Sequence, residues 1–237
     1  MIQVEGIFSG GSSISAPIIG EDFNWSGGDG TYQVLDDGGG NWRIKFLSSG
    51  TFTPLKNMVI DAFLVGGGGG SGSSYCGAGG AGYTTTVRSV VLTANTAYSI
   101  VVGAAGTNGN PSSAGGETTA FTASAAGGKN TSNGTSSSKR PGGAGGSGGA
   151  GYVSPVATTT GGTDGGDGTS SATTGGKGQG TTTREFGEAD GTLYASGGGS
   201  NLTATVSNSG NGGRNGITSI EPADGIVVIR QHKEVAA

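Results

Sequence analysis

The sequence predicts a mainly β protein: a small antiparallel sheet or sandwich built from N-terminal strands and one C-terminal strand, carrying a bundle of polyglycine II helices, with essentially no α-helix. Three observations predict it. Apolar runs of strand length cluster within 31–65 and 84–102 and return at 225–230. Of 237 residues, 55 are Gly, and most of these fall between positions 66 and 216. No apolar period of 3.6 residues appears along the chain, so nothing reads as an amphipathic helix.

Taken in order, residues 1–30 mix Gly and Ser with short apolar pieces such as Ala16, Pro17, Ile18 and Ile19, and read as an N-terminal attachment arm. Residues 31–237 read as one glycine-rich domain. Tyr32 to Leu35 leads into a turn, Asp36, Asp37, Gly38, Gly39 and Gly40, after which Trp42, Ile44 and Phe46 alternate with Asn41, Arg43 and Lys45. That period of two is a half-buried strand, and the pair is a hairpin. After the turn at Ser48, Ser49 and Gly50 comes a short strand around Phe52. The nearly continuous apolar run Met58–Val65 then reads as a central strand. Asp61 interrupts it and is expected to be held by backbone donors or to face solvent, because unpaired buried acids are costly. Strands follow at Thr84–Leu92 and 97–102, and the last at 225–230 is placed to pair with the first ones.

The segments 66–82 and 103–224 are expected to form the bundle and its loops. Gly runs disfavour α-helix by about 1 kcal/mol per residue relative to Ala and supply no side chains to a sheet core. They suit the extended left-handed helix of three residues per turn and about 3.1 Å rise, whose N–H and C=O groups are free to bond neighbours. Consecutive Gly without a strict third-residue period excludes collagen.

Composition narrows the function. With 12 Lys+Arg against 16 Asp+Glu and a net charge of −4, the chain lacks the clustered cations a nucleic-acid partner requires, and its densest basic point is Lys139 and Arg140. No stretch approaches 18 apolar residues and no leader pattern is visible, so neither membrane insertion nor classical secretion is expected. Cys76 stands alone, so no intramolecular disulfide or zinc cluster is expected. The one histidine, His232, has nothing recognisable beside it in the sequence. Gly145 to Gly149 matches a nucleophile-elbow pattern but lacks the strand-to-helix context, and 66–70 lacks the Lys-Ser/Thr of a phosphate loop. Asp164 and Asp167 read as turn formers rather than calcium ligands. No catalytic, cofactor or metal site is expected.

The run Ile60 to Val65 followed by 66–70, then Gly79, Gly80, Ala81, Gly82 and Tyr83, then 96–103, and finally 225–230, resembles the glycine-rich domain of phage and prophage tail proteins. The stretch 41–50 is similar to the lead-in of gut-bacterial virus members. The resemblance spans 31–230, and related glycine-rich regions occur in receptor kinases of the anaplastic lymphoma kinase type. It implies a structural virion protein of a tail fibre or baseplate tip, released by host lysis. Such a protein would attach to other virion proteins through the arm, form a homo-oligomer such as a trimer, and bind a bacterial surface glycan or protein through loops between the glycine helices. By that analogy the receptor-binding candidates are Lys129, Asn130, Asn133, Lys139, Arg140, Tyr152, Arg184, Phe186 and Asn201. A capsid or tail decoration protein and an ice-binding protein presenting flat Ala/Thr faces are the alternatives.

Overall fold

In the computed structural model, residues 16–73, 75–134, 140–152, 159–169, 175–199, 205–214 and 220–232 are described. The alternation of Asn41–Phe46 becomes strand β3, paired antiparallel with β2 (Tyr32–Gly38). Asp36 shapes the connecting turn by accepting the Gly38 N–H at 2.9 Å, and Gly38, Gly39 and Gly40 all take positive φ there, a conformation open to glycine at little cost. The other strands are β1 (Phe23–Trp25), β4 (Gly50–Pro54), β5 (Met58–Val65), β6 (Thr84–Leu92), β7 (Tyr98–Val101), β8 (Thr118–Ala120), β9 (Ala123–Ala125) and β10 (Ile226–Gln231).

They form two five-stranded antiparallel sheets, with orders β2-β3-β10-β5-β6 and β1-β4-β7-β8-β9. The last strand is inserted between two early ones: Ile229 stands opposite Ile44 on one side and Ala62 on the other. After β6 the chain therefore leaves the first sheet and must return to its centre at β10. Residues 16–30, at the C-terminal side of the expected arm, include β1, whose Phe23 is fully buried between Tyr32 and Phe52. Among the described residues there is no α-helix, only a single 3-10 turn at Glu185–Gly187, and no helix is long and apolar enough to cross a membrane.

The main core lies between the sheets. Trp42, Ile44 and Phe46 of β3, Ile60, Ala62 and Leu64 of β5, and Val227 and Ile229 of β10 meet Phe23, Phe52, Leu92 and Ile100. Each such large side chain, fully buried, contributes roughly 1.5–3 kcal/mol. The opposite face of β5 and β10 is covered too: Phe63, Val65, Ile226 and Val228 pack on Ala81, Phe186, Tyr194 and Ala195. Burial on both faces is why β5 is almost continuously apolar.

Backbone hydrogen bonds join the glycine tracts in three directions, where a β-ladder uses two. From 78 to 83 the acceptor recurs every third residue. Ala78 and Ala81 donate to Ala150 and Ser147, Gly79 and Gly82 to Gly213 and Gly210, and Gly80 and Tyr83 to Lys129 and Ala126. The tract 66–70 repeats the pattern, with Gly66 and Gly69 donating to Tyr83 and Gly80, and Gly67 and Gly70 to Gly116 and Ser113. The chains approach so closely that a Cβ placed on Gly68 would lie 1.8 Å from the Asn211 carbonyl oxygen.

Candidate functional site

Because β5, β7 and β9 all run out into glycine tracts, and the tracts return to β6, β8 and β10, turns around residues 71–73, 108–112, 130–133, 214 and 220 meet at the end remote from the sheets. Side chains tie these turns together. The Ser71 N–H donates to Asn108 Oδ1 at 2.8 Å, Ser71 Oγ to the Arg214 carbonyl at 2.8 Å, and Asn108 Nδ2 to the Ile220 carbonyl at 3.0 Å. Ser73 and Asn133 bond reciprocally, N–H to Oδ1 at 2.7 Å and Nδ2 to Oγ at 3.1 Å. Asn130 Nδ2 reaches the Ser112 carbonyl at 2.9 Å, and Ser112 Oγ donates to the Thr131 carbonyl. Tyr75 and Tyr152 meet edge to face, 5.8 Å between ring centroids and 86° between planes. The Tyr152 N–H in turn donates to the Arg140 carbonyl at 3.0 Å. Asn, Ser and Thr serve here because short amides and hydroxyls satisfy turn backbone that has no sheet partner.

Of the residues singled out from sequence, Lys129, Asn130, Asn133, Arg140 and Tyr152 come together at this far end. Lys129 and Asn130 are exposed, although the Lys129 backbone is built into the array, donating to Ala144 and accepting from Gly80. Arg184 and Phe186 are elsewhere, on the outer face of the first sheet. Arg184 bonds the Gly191 carbonyl at 3.0 Å and Asp164 at 3.4 Å. Phe186 is only 2% exposed, packed 6.0 Å from Phe63 with the Arg230 guanidinium over its ring at 4.1 Å, so it is a core residue rather than a loop tip. Lys139 and Asn201 lie outside the described residues. Tyr75, Ser73, Asn108 and Ser112 are not among the binding candidates read from the sequence. The visible signal for the first two was the glycine-free interruption 73–76 between two Gly tracts.

Two polar clusters on the outer face of the first sheet invite a chemical reading. His232, isolated in the sequence, is brought by β10 to Asp61: its Nδ1 lies 2.6 Å from Asp61 Oδ1 and its Nε2 3.0 Å from Ser89 Oγ. This has the membership of a Ser-His-Asp relay but not its geometry. Ser89 Oγ is also 3.5 Å from Nδ1, so the hydroxyl sits beside the ring, off the Nε2 lone-pair axis where a base receives a proton. Asp61, 1% exposed, is held mainly by side chains: Arg88 at 3.1 Å, Arg230 at 3.2 Å and His232, with the Ser89 N–H at 3.2 Å. The cluster secures a β-bulge at which Ser89 has φ +56°. Burial pushes the Asp61 carboxyl upward, but hydrogen bonds from His232, Ser89 and Arg230 outweigh that and hold it below its ordinary value.

The second cluster lines a cleft of about 340 Å³ containing Asp37, Arg43, Glu185, Glu188 and Arg230. Its two arginines are both paired, Arg43 with Asp37 at 2.8 Å and Glu185 at 2.7 Å, and Arg230 with Glu188 at 2.7 Å, and Asp190 adds a fourth acid to the lining. Burial pushes the adjoining Tyr194 hydroxyl pKa upward, reinforced by the Glu185 charge. Among the described residues no group of three His, Cys, Asp or Glu side chains is arranged to hold a metal ion.

The model of a family described as a glycine-rich domain matches residues 47–230. No curated protein matches the chain.

Proposed function

The chain belongs to the glycine-rich domain family, and from that premise we propose that it is a structural virion protein of a bacteriophage tail fibre or baseplate tip that binds the bacterial surface with the far end of its tract array. The observation that carries this reading is the convergence of polar and aromatic turn residues at one end of the array, cross-tied from Ser71 to Ile220 and from Ser73 to Asn133. A rigid scaffold that concentrates turns at one end is the common way to present a recognition surface.

In the same reading the tracts are polyglycine II helices. The recurrence of hydrogen-bond partners at every third residue, at Ala78 and Ala81 or Gly66 and Gly69, supports a three-residue turn. Backbone-to-backbone packing makes the array stiff, which suits a protein that must transmit contact from a surface to a particle. The sheets form the base, the N-terminal arm joins other virion proteins in a homo-oligomeric assembly, and the ligand is a surface glycan or protein. Binding, not chemistry, is the activity; nucleic acid, metal and cofactor play no part in it.

The test is binding of labelled full-length protein to a panel of intact bacteria. A second protein has 134–139 replaced by a short Gly-Ser link, leaving Lys129 to Asn133 in place. Saturable binding that falls in this variant, with unchanged thermal unfolding, is the expected result. Absence of saturable binding to any strain rejects the reading.

A further inference from the structure

At the far end, Tyr75 is held in a way the turn alone does not require. Its φ is +48°, a left-handed conformation that side-chain-bearing residues rarely adopt. The turn joins two glycine tracts in a chain with 55 Gly, and glycine would relieve the conformation there at once. A tyrosine stands in its place, 41% exposed. Backbone strain of this kind persists where the surroundings over-determine it; the aromatics Phe121 and Phe186 share it but are buried, and Tyr75 differs from them in being exposed.

The surroundings do over-determine it. Asn133 clamps Ser73 through two hydrogen bonds, and the buried Cys76 thiol donates to the Gly72 carbonyl at 2.7 Å. The Tyr152 ring meets Tyr75 edge to face at 5.8 Å. An exposed aromatic ring is thus presented beside a neighbouring turn on which Asn130 and Ser132 are exposed.

We propose that Tyr75, buttressed by Tyr152, is a stacking platform for a pyranose ring of a bacterial surface glycan, with side chains of the 130–133 turn bonding its hydroxyls. The proposal rests on the reading of the far end as the binding surface and names its ligand class. A pyranose carries C–H groups that pack on an aromatic face and hydroxyls that exchange hydrogen bonds with amides. A protein partner asks for an apolar centre built from several large side chains. Of the exposed aliphatic residues among those described, Val59 and Val91 form a cross-strand pair on β5 and β6, Val101 is on β7, Ile18 and Ile19 precede β1 and Leu193 bridges to Arg184, which leaves Val206.

The experiment measures binding of the full chain to intact bacteria treated with periodate, which cleaves vicinal diols, or with protease, and to an array of purified bacterial capsular and O-chain glycans. Tyr75→Ala and Tyr75→Phe are compared with the native protein, each checked by thermal unfolding. Periodate-sensitive, protease-resistant binding that weakens about tenfold or more in Tyr75→Ala and is retained within about threefold in Tyr75→Phe is expected, as for a single aromatic anchor. Binding abolished by protease but not by periodate, or unchanged in a folded Tyr75→Ala protein, overturns the glycan proposal while leaving surface binding intact. Absence of binding to cells and array alike overturns both.

Discussion

Replacing Gly68 by Ala tests the close backbone packing of the tract array at a single atom. The added Cβ would lie 1.8 Å from the Asn211 oxygen and 2.5 Å from its carbonyl carbon, both main-chain atoms that no rotamer change can remove. The tract must move, and Gly68 both donates to the Ala223 carbonyl and accepts from Gly106, each at 2.8 Å. Overpacking of this kind costs about 1–3 kcal/mol. Loss of one buried backbone bond costs a further 1–3 kcal/mol or so. Restricting the unfolded chain returns only about 0.4–1 kcal/mol. The net expectation is about 3 kcal/mol of destabilisation, or a fall in melting temperature of roughly 6–12 °C for a domain of this size. The assay is reversible thermal or denaturant unfolding beside Gly166→Ala, whose nearest neighbour would be the Thr163 oxygen at 3.1 Å. That control is expected to cost less than about 1 kcal/mol. Equal, small effects at both positions would refute the packing argument.

Asp61→Asn removes a buried charge from its two arginine partners, Arg88 and Arg230, and alters the hydrogen bond to His232, and is expected to cost about 3 kcal/mol at neutral pH. Because the folded pKa of Asp61 is depressed, its contribution is complete above the unfolded value of about 4 and is lost as pH falls through the folded value. Unfolding measured from pH 6 to pH 2 should therefore fall less steeply below about pH 4 in the variant than in the native protein; parallel curves would contradict this. Phe186→Ala should lower stability by about 3 kcal/mol, by opening a cavity beside Phe63 and Arg230, rather than weaken surface binding selectively. Cys76, 1% exposed, should resist a thiol reagent in the native protein and react when it is unfolded in denaturant; rapid native labelling would show that its thiol is not closed in against Gly72.

The sheets were legible wherever side chains carried a period. The alternation of Trp42, Ile44 and Phe46, the double burial of Met58–Val65 and the apolar run of Ile226–Gln231 each name a strand, and the closing strand's place among the early ones follows from its strength. Strands β8 and β9 were not legible: Thr-Thr-Ala and Ala-Ser-Ala have no pattern of their own and become strands through their register with Ile100 and Val101 of β7. Tract adjacency was hidden for a related reason. One Gly-Gly segment is chemically like another, so nothing local tells Gly79 to bond Gly213 rather than any other carbonyl.

The same limit separates Tyr75 from Phe186. Both are single aromatics among small residues, and their fates diverge through long-range contacts. Glu185 pairs with Arg43 across 142 residues and draws Phe186 down onto the first sheet, whereas Ser73 and Tyr75 meet Asn133 and Tyr152 of other turns. His232 was similarly mute in sequence, because its partner Asp61 lies 171 residues away.

The polarity of the molecule, sheets as base and far end as binding surface, can be tested by blocking one end at a time. In a Cys76→Ser background, whose hydroxyl can keep the bond to Gly72, a bulky polymer is coupled either at Ser132→Cys beside the Asn133 clamp or at Lys56→Cys on the loop before β5. Ser132 and Lys56 are both exposed. Binding to intact bacteria that is abolished by the polymer at 132 and preserved with it at 56 is the predicted result. Binding preserved at 132 and lost at 56 would contradict the account, placing the working surface on the sheets.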